Sequence, residues 1–322
     1  MQPTPRVAVI IVHWRNMDDT IECLGSLARV PYPAMDIVLV STGSPDFDRE
    51  QIATLFPAVT VIPLAENLGF AGANNVGIRH ALAHGADFVL LLNPDTIVAP
   101  QLISALLPAA QLPGVGIVGP VITYYDRPDT VWFAGGRHSK LLGYSLHPGM
   151  GKPLTTPITD RDVDFINGCT MLISRAALDH VGGISEAFFM YFEDFEFCLR
   201  AAQAGYRCRL VGEPLVQHKV SSSAGQRGSN AMTPGKAYYF GRNPFLVLRR
   251  TARGLWALTG LVSQFLVVLP FHTLLAARAG QLAAMLPYLA GMRAGMRGET
   301  GVWPTLANTN RDRQTQHGAQ SS

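Results

Sequence analysis

Charge is scarce in this chain. Asp, Glu, Lys and Arg make up 15% of its 322 residues, hydrophobic residues 48%, and the formal balance is only +3. Nucleic acid demands a concentrated basic face, so no nucleic-acid partner is expected. Cysteine is scarce too: Cys23, Cys169, Cys198 and Cys208 form no C-x-x-C pair and suit a disulfide framework poorly. They read as buried thiols of a reducing compartment. The first apolar run, Val7–Val12, is too short for the core of a secretory signal and suits a strand instead, so a cytoplasmic catalytic domain is expected. Between Gly254 and Ala277 charge is absent altogether. That length is enough to cross a bilayer, while Gln264, Pro270 and His272 within it weaken the spanning reading; a single span, an in-plane or membrane-dipping segment and a soluble core helix stay open.

What is present alternates between strand and helix. Val7–Val12, Ile37–Val40, Thr60–Ile62 and Phe88–Leu92 are runs of β-formers. Between them, Asp18-Asp19-Thr20 offers capping chemistry ahead of Ile21, Leu24 and Leu27, and Ala73–His84 reads as a helix stopped by Gly85. Such repetition predicts an α/β fold with a doubly wound, mostly parallel sheet, whose ligands bind beyond the carboxyl ends of the strands. The residues to watch are therefore His13, Ser41–Asp46, Glu66-Asn67 and Asn93-Pro94-Asp95. Further on, Val163–Ser174 reads as one strand through Asn167-Gly168, and Glu193–Ala204 as a helix ended by Gly205. Ser221–Gly235 reads as a polar loop, and Asn308–Ser322 as a disordered tail. The histidines His80, His84, His138 and His147 are assigned nothing.

Four segments carry chemistry. Asn93-Pro94-Asp95 ends an apolar strand, where Asp95 could hold a hard divalent cation beside phosphate oxygens; it is also a good turn sequence. Asn67–Asn75 is a glycine-containing entry into a helix, suited to phosphate through Gly69 and Gly72, though it is neither a Walker motif nor G-x-G-x-x-G. Phe188–Glu196 embeds Glu193, Asp194 and Glu196 among aromatics. Burial beside rings would raise a carboxylate toward general-base duty, and a helix N-terminus would lower it. His218 follows an apolar segment and could ligate a metal or serve only the core.

Taken together and in order, these pieces resemble family 2 glycosyltransferases, especially the bacterial rhamnosyltransferase-like branch. The likeness runs from Val7 to Asn243, through Asn67–Gly77, Leu90–Thr96, Gly168–Arg175, Phe188–Arg200, His218–Ser223 and Arg242-Asn243. It implies a GT-A nucleotide-diphospho-sugar transferase fold and direct displacement at the anomeric carbon, with inversion. Asp95 would occupy the family's metal position, with Asn93 where many relatives carry a carboxylate, and His218 would complete a Mg or Mn site. Asp194 would be the base, supported by Glu193. The nucleotide-sugar donor would lie against His13, Ser41, Gly43, Asn67, Gly69, Asn74 and Asn93. Two departures stand out: Ser41 replaces the Asp that reads the nucleobase in relatives, and Ser185 replaces an Asp near the acceptor.

The resemblance implies transfer of a deoxyhexose such as rhamnose, from a dTDP-sugar, to a hydroxyl of a lipid-linked glycan or surface-polysaccharide precursor. A polyprenyl-phosphate glycosyltransferase and a non-catalytic nucleotide-sugar-binding subunit remain alternatives. Expected domains are a catalytic domain over 1–245, a helical membrane-associating extension over 246–304, and a tail over 305–322. The protein would act on the cytoplasmic side of the inner membrane, peripheral or with a single span. Arg293 and Arg297 would face anionic headgroups.

Overall fold

The apolar runs become the four parallel strands at one end of a ten-stranded sheet. The structure is a computed structural model describing residues 4–220 and 232–303. Strands β1 (Val7–His13), β2 (Met35–Thr42), β3 (Thr60–Leu64) and β4 (Phe88–Leu92) run parallel in the order β4-β1-β2-β3. Helices α1 (Met17–Leu27), α2 (Arg49–Leu55) and α3 (Gly69–Ala83) connect them. All five residues of β4 are buried, as an unbroken apolar run requires when both faces are covered. Helix α3 starts at Gly69, earlier than the expected Ala73, and Gly85 ends it in the left-handed region at φ 83°.

The chain then adds β5 (Thr96–Val98), α4 (Leu102–Ala110), β6 (Val115–Tyr124), β7 (Val131–Phe133), β8 (Arg137–Ser139) and β9 (Tyr144–Leu146). After these come β10 (Arg161–Val163), β11 (Thr170–Ser174), α5 (Arg175–Val181), α6 (Glu193–Gln203) and β12 (Arg207–His218). The sheet continues past β4 as β11-β6-β12-β10. Strand β11 lies antiparallel between β4 and β6, and β12 returns parallel to β6. Gly114–Gly119 has the spacing of a dinucleotide fingerprint, but Gly116 and Gly119 lie inside buried β6, not in a turn opening a helix. The single strand expected over Val163–Ser174 is two strands, because Asn167-Gly168-Cys169 turns the chain between them.

Packing divides the chain into two units. The first, Met1–Ser139, Ser145–Ser185 and Asp194–Asn230, holds the sheet. The second comprises Lys140–Tyr144, Glu186–Glu193 and the chain from Ala231 onward. Residue 245, the expected end of the catalytic domain, lies inside α7 (Pro234–Thr251), which belongs to the second unit. Part of the loop expected over Ser221–Gly235 is therefore helix from Pro234; its 221–231 portion and the expected tail lie outside the described residues.

In the second unit, α7 is followed by α8 (Gly254–Ser263), a π-turn over Gln264–Val268, α9 (Leu269–Arg278) and α10 (Met285–Arg297). Helices α7 and α10 cross in close contact. A Cβ on Gly241 would lie 2.1 Å from Tyr288 O, and one on Gly291 2.0 Å from Tyr238 O. In Gly291-Met292-Arg293-Ala294-Gly295-Met296-Arg297 both glycines meet backbone of α7, since a Cβ on Gly295 would lie 2.5 Å from Arg242 O.

Candidate functional site

Parallel order brings the expected residues to one end of the sheet. The carboxyl ends of β4, β1, β2 and β3 lie side by side, carrying Asn93 and Asp95, His13, Ser41 to Gly43, and the approach to Asn67. His13 is fully buried; its Nδ1 is 2.8 Å from Thr20 Oγ1, and its Nε2 is 3.5 Å from Asp46 Oδ1. Burial lowers the His13 pKa, with Asp46 opposing. Gly43 is required where it stands, at φ 59°: a Cβ there would meet Asn67 N at 2.7 Å. Thr42 Oγ1 accepts from Leu68 N at 2.8 Å, and Asn67 Oδ1 accepts from Gly69 N at 2.8 Å. The entry to α3 is thus tied to the tip of β2. Asn74 is placed differently: its amide donates to Phe70 O within α3, so that group serves the helix. Its neighbour Asn75 exchanges two hydrogen bonds with the Ile184 backbone, at 2.8 and 2.9 Å.

Asp95 and His218 meet in the interior. Antiparallel pairing of β5 with β12 sets Thr96 opposite His218, and Asp95 Oδ1 lies 3.2 Å from His218 Nε2. Both residues are buried, and Trp132 packs edge-on to the imidazole at 4.3 Å. Burial opposes a charged His218, but Cys169 and Asp95 outweigh it and hold the imidazole well above its usual range. Lys219 anchors this strand end. Its backbone N–H donates to Asp95 O at 2.9 Å, while its buried ammonium pairs with Asp19 at 2.6 Å and with Glu22. Sequence reading missed Lys219; a lysine directly after the expected ligand was the available signal.

Asp194, half-buried at the start of α6, accepts from Gly168 N at 2.8 Å and from Phe195 N at 2.7 Å. Burial raises its pKa, and these two amides pull against that without cancelling it. The same short turn reaches the tip of β4, because Cys169 O accepts from Asn93 N at 2.9 Å. One three-residue turn, Asn167-Gly168-Cys169, therefore ties the tip of β4 to the head of α6.

Glu193 is buried and packs with the second unit. The backbone before it is strained, with Phe189, Tyr191 and Phe192 at φ 64°, 65° and 71°. Each such residue costs about 1–3 kcal/mol. A clamp within the second unit holds them. Arg242 donates to Phe188 O at 2.7 Å, and Asn243 to Met190 O at 2.8 Å and Tyr191 O at 2.7 Å. No role for Arg242 and Asn243 was legible in sequence, since their partners are main-chain carbonyls some fifty residues earlier.

The four cysteines are free and buried, and burial pushes the Cys23 thiol up to about 12. The histidines left unassigned do have neighbours: His80 stacks on His84 at 4.0 Å, His138 meets Phe195, and His147 meets Phe133 and Phe165.

Residues 5–232 match the family model described as glycosyltransferase-like family 2. The N-acetylglucosaminyl-diphospho-decaprenol L-rhamnosyltransferase of Mycobacterium tuberculosis is 30% identical over 224 residues, covering 63% of this chain and 72% of that protein. The dTDP-rhamnosyl transferase RfbF of Shigella flexneri is 27% identical over 250 residues, 76% of this chain and 80% of its own. Among solved structures, the mannosyltransferase PcManGT of Pyrobaculum calidifontis, in complex with GDP-Man and Mn2+, superposes with a TM-score of 0.54 at 19% identity, covering 92% and 88% of the two chains.

Proposed function

Since the chain belongs to glycosyltransferase-like family 2, and is a glycosyltransferase of GT-A fold, we propose that it transfers rhamnose or another deoxyhexose from a dTDP-sugar to a hydroxyl of a lipid-linked glycan precursor, with inversion, at the cytoplasmic face of the inner membrane. The observation carrying this reading is the shared turn, which bonds Asn93 through Cys169 and Asp194 through Gly168. Cation and base chemistry must act on one bond, and this turn ties their candidate residues together.

In the proposed reaction Asp194 accepts the proton of the acceptor hydroxyl. The freed oxygen attacks the anomeric carbon, the bond to the diphosphate oxygen breaks, and nucleoside diphosphate leaves with that electron pair. A carboxylate raised by burial is a stronger base than a solvated one, and the Gly168 and Phe195 amides fix its direction. Glu193, just before it, supports the base.

The residues fit a divalent cation. One carboxylate and one imidazole, 3.2 Å apart and buried, suit Mg or Mn when diphosphate oxygens and water complete the shell. A cation there would neutralise charge on the leaving diphosphate. His13, Ser41, Gly43, Asn67, Gly69 and Asn93 would border the nucleotide, and Asp46, beside His13, supplies a carboxylate on the loop after Ser41.

The test is transfer of labelled rhamnose from dTDP-rhamnose to a polyprenyl-diphosphate-N-acetylglucosamine acceptor with Mn2+, alongside UDP- and GDP-sugars. Transfer from dTDP-rhamnose alone supports the reading. Turnover only with another nucleotide-sugar overturns the donor assignment.

A further inference from the structure

The uncharged helical segment has two unlike sides. Gly260, Gln264, Val268, His272 and Ala276 form a buried stripe, every fourth residue. In a regular α-helix such a stripe drifts about 40° per step, and the π-turn over Gln264–Val268 counters that drift. Polar groups secure this side within the second unit. Ser263 Oγ and Gln264 Nε2 donate to Leu142 O, the latter at 3.2 Å, and His272 Nε2 lies 3.2 Å from Tyr144 OH.

The opposite side is apolar and uncovered: Leu255 is 74% exposed, Leu266 72% and Phe271 55%, and on α10 Leu286 is 74% exposed. Between Met232 and Gly298 the chain has eight Lys and Arg and no Asp or Glu. Arg249, Arg250 and Arg253 precede the segment, Arg278 ends it, and Arg293 and Arg297 follow it, Arg297 pairing with Glu299 at 3.7 Å.

We propose that this face seats the protein in the surface of an anionic bilayer, with Gly254–Arg278 lying parallel to the membrane plane and not crossing it. Crossing would expose Ser263, Gln264 and His272 to hydrocarbon after stripping them from Leu142 and Tyr144, whereas lying flat keeps every one of those bonds. The leucines and Phe271 enter the acyl boundary while the arginines meet anionic headgroups. The exposed face and the basic flanks point to the same occupant. The inference deepens the lipid-linked-acceptor reading and rests on it for its purpose, but binding can be measured without any turnover.

The test uses the full chain and vesicles of phosphatidylcholine with about 30% phosphatidylglycerol, against pure phosphatidylcholine. Sedimentation should show binding to the anionic vesicles that weakens with added salt. The triple variant Leu255→Glu, Leu266→Glu, Leu286→Glu should bind at least ~10-fold more weakly while keeping its thermal midpoint and its turnover on a soluble acceptor analogue. Nitroxide labels on Leu258→Cys, Phe265→Cys and Phe271→Cys should report one shallow depth. A steep gradient of depth along the helix would establish a span and overturn the proposal. Self-association that covers the leucines without vesicle binding would overturn it equally. Turnover that fails with any lipid-linked acceptor while vesicle binding persists sinks the acceptor reading and leaves the docking mode standing.

Discussion

Asp194 is bonded to the turn Asn167-Gly168-Cys169, and Asp95 lies two residues beyond the Asn93 that the same turn holds, but the surroundings of the two acids treat them oppositely. Asp95 faces another side chain, His218 Nε2 at 3.2 Å, so its partner is a group that can itself change charge or bind a cation. Asp194 faces main-chain amides, Gly168 N and Phe195 N, which neither titrate nor move independently. The first arrangement can exchange a proton for a metal ion. The second can only aim a carboxylate, while burial keeps that carboxylate basic. Two acids with different neighbours thus suit two different tasks, and the difference lies in their partners and not in the acids.

That contrast breaks most sharply at Asp194. Replacing it by Asn should lower kcat by ~10²–10⁴-fold, the usual contribution of a positioned base, and leave Mn2+-dependent donor binding unchanged by calorimetry. Full activity in Asp194→Asn would instead favour an acceptor that needs no deprotonation, such as a lipid phosphate. Asp95→Ala should fail in the complementary way. Donor affinity should lose its Mn2+ dependence, and kcat/KM should fall by ~10²–10³-fold. Equal Mn2+-dependent donor affinity in the variant and the parent protein would remove Asp95 from the metal site.

Much of this was legible in the sequence because it is local. Strand β4 is an unbroken apolar run, and Asp95 follows its end, so hydrophobic pattern alone put the acid at a strand tip. The Asp95–His218 pairing was not local: it depends on the register of β5 against β12, 123 residues away, and came only through family resemblance. Asn74 shows how a local bond can occupy part of an expected contact residue. The family resemblance put it against the donor, yet within α3 its amide donates to Phe70 O. Arg242-Asn243 entered only as part of the family likeness, and its clamping role left no pattern, since a carbonyl is present at every residue and only the fold selects which ones are held.

The clamp offers a smaller effect that separates architecture from chemistry. Asn243→Asp removes the donor facing Met190 O and Tyr191 O and turns a carboxylate toward those carbonyls in the interior. A loss of about 2–4 kcal/mol in stability is expected. The thermal midpoint should drop, and Mn2+ binding measured below the transition should be retained. Retention of the full thermal midpoint would show that the strained residues before Glu193 hold themselves.

The mildest test is pH, and it acts on only one of the two acids' partners. His218 titrates above its ordinary 6.5, raised by Cys169 and Asp95 against the effect of burial. The sign follows from linkage. A group whose folded pKa is raised stabilises the metal-free protein fully below 6.5, and that contribution is lost as pH climbs through the raised value. Metal binding runs the other way, because the imidazole must shed its proton to coordinate. Below the raised value Mn2+ affinity should fall by up to about tenfold per pH unit, and above it the affinity should level off. Metal-free stability and Mn2+ affinity should therefore cross in opposite directions over the same interval. His218→Gln should flatten both curves, whereas Asp194→Asn should leave the affinity curve in place. Mn2+ titrations by electron paramagnetic resonance would register this. An unchanged slope in His218→Gln would mean that another group governs the cation.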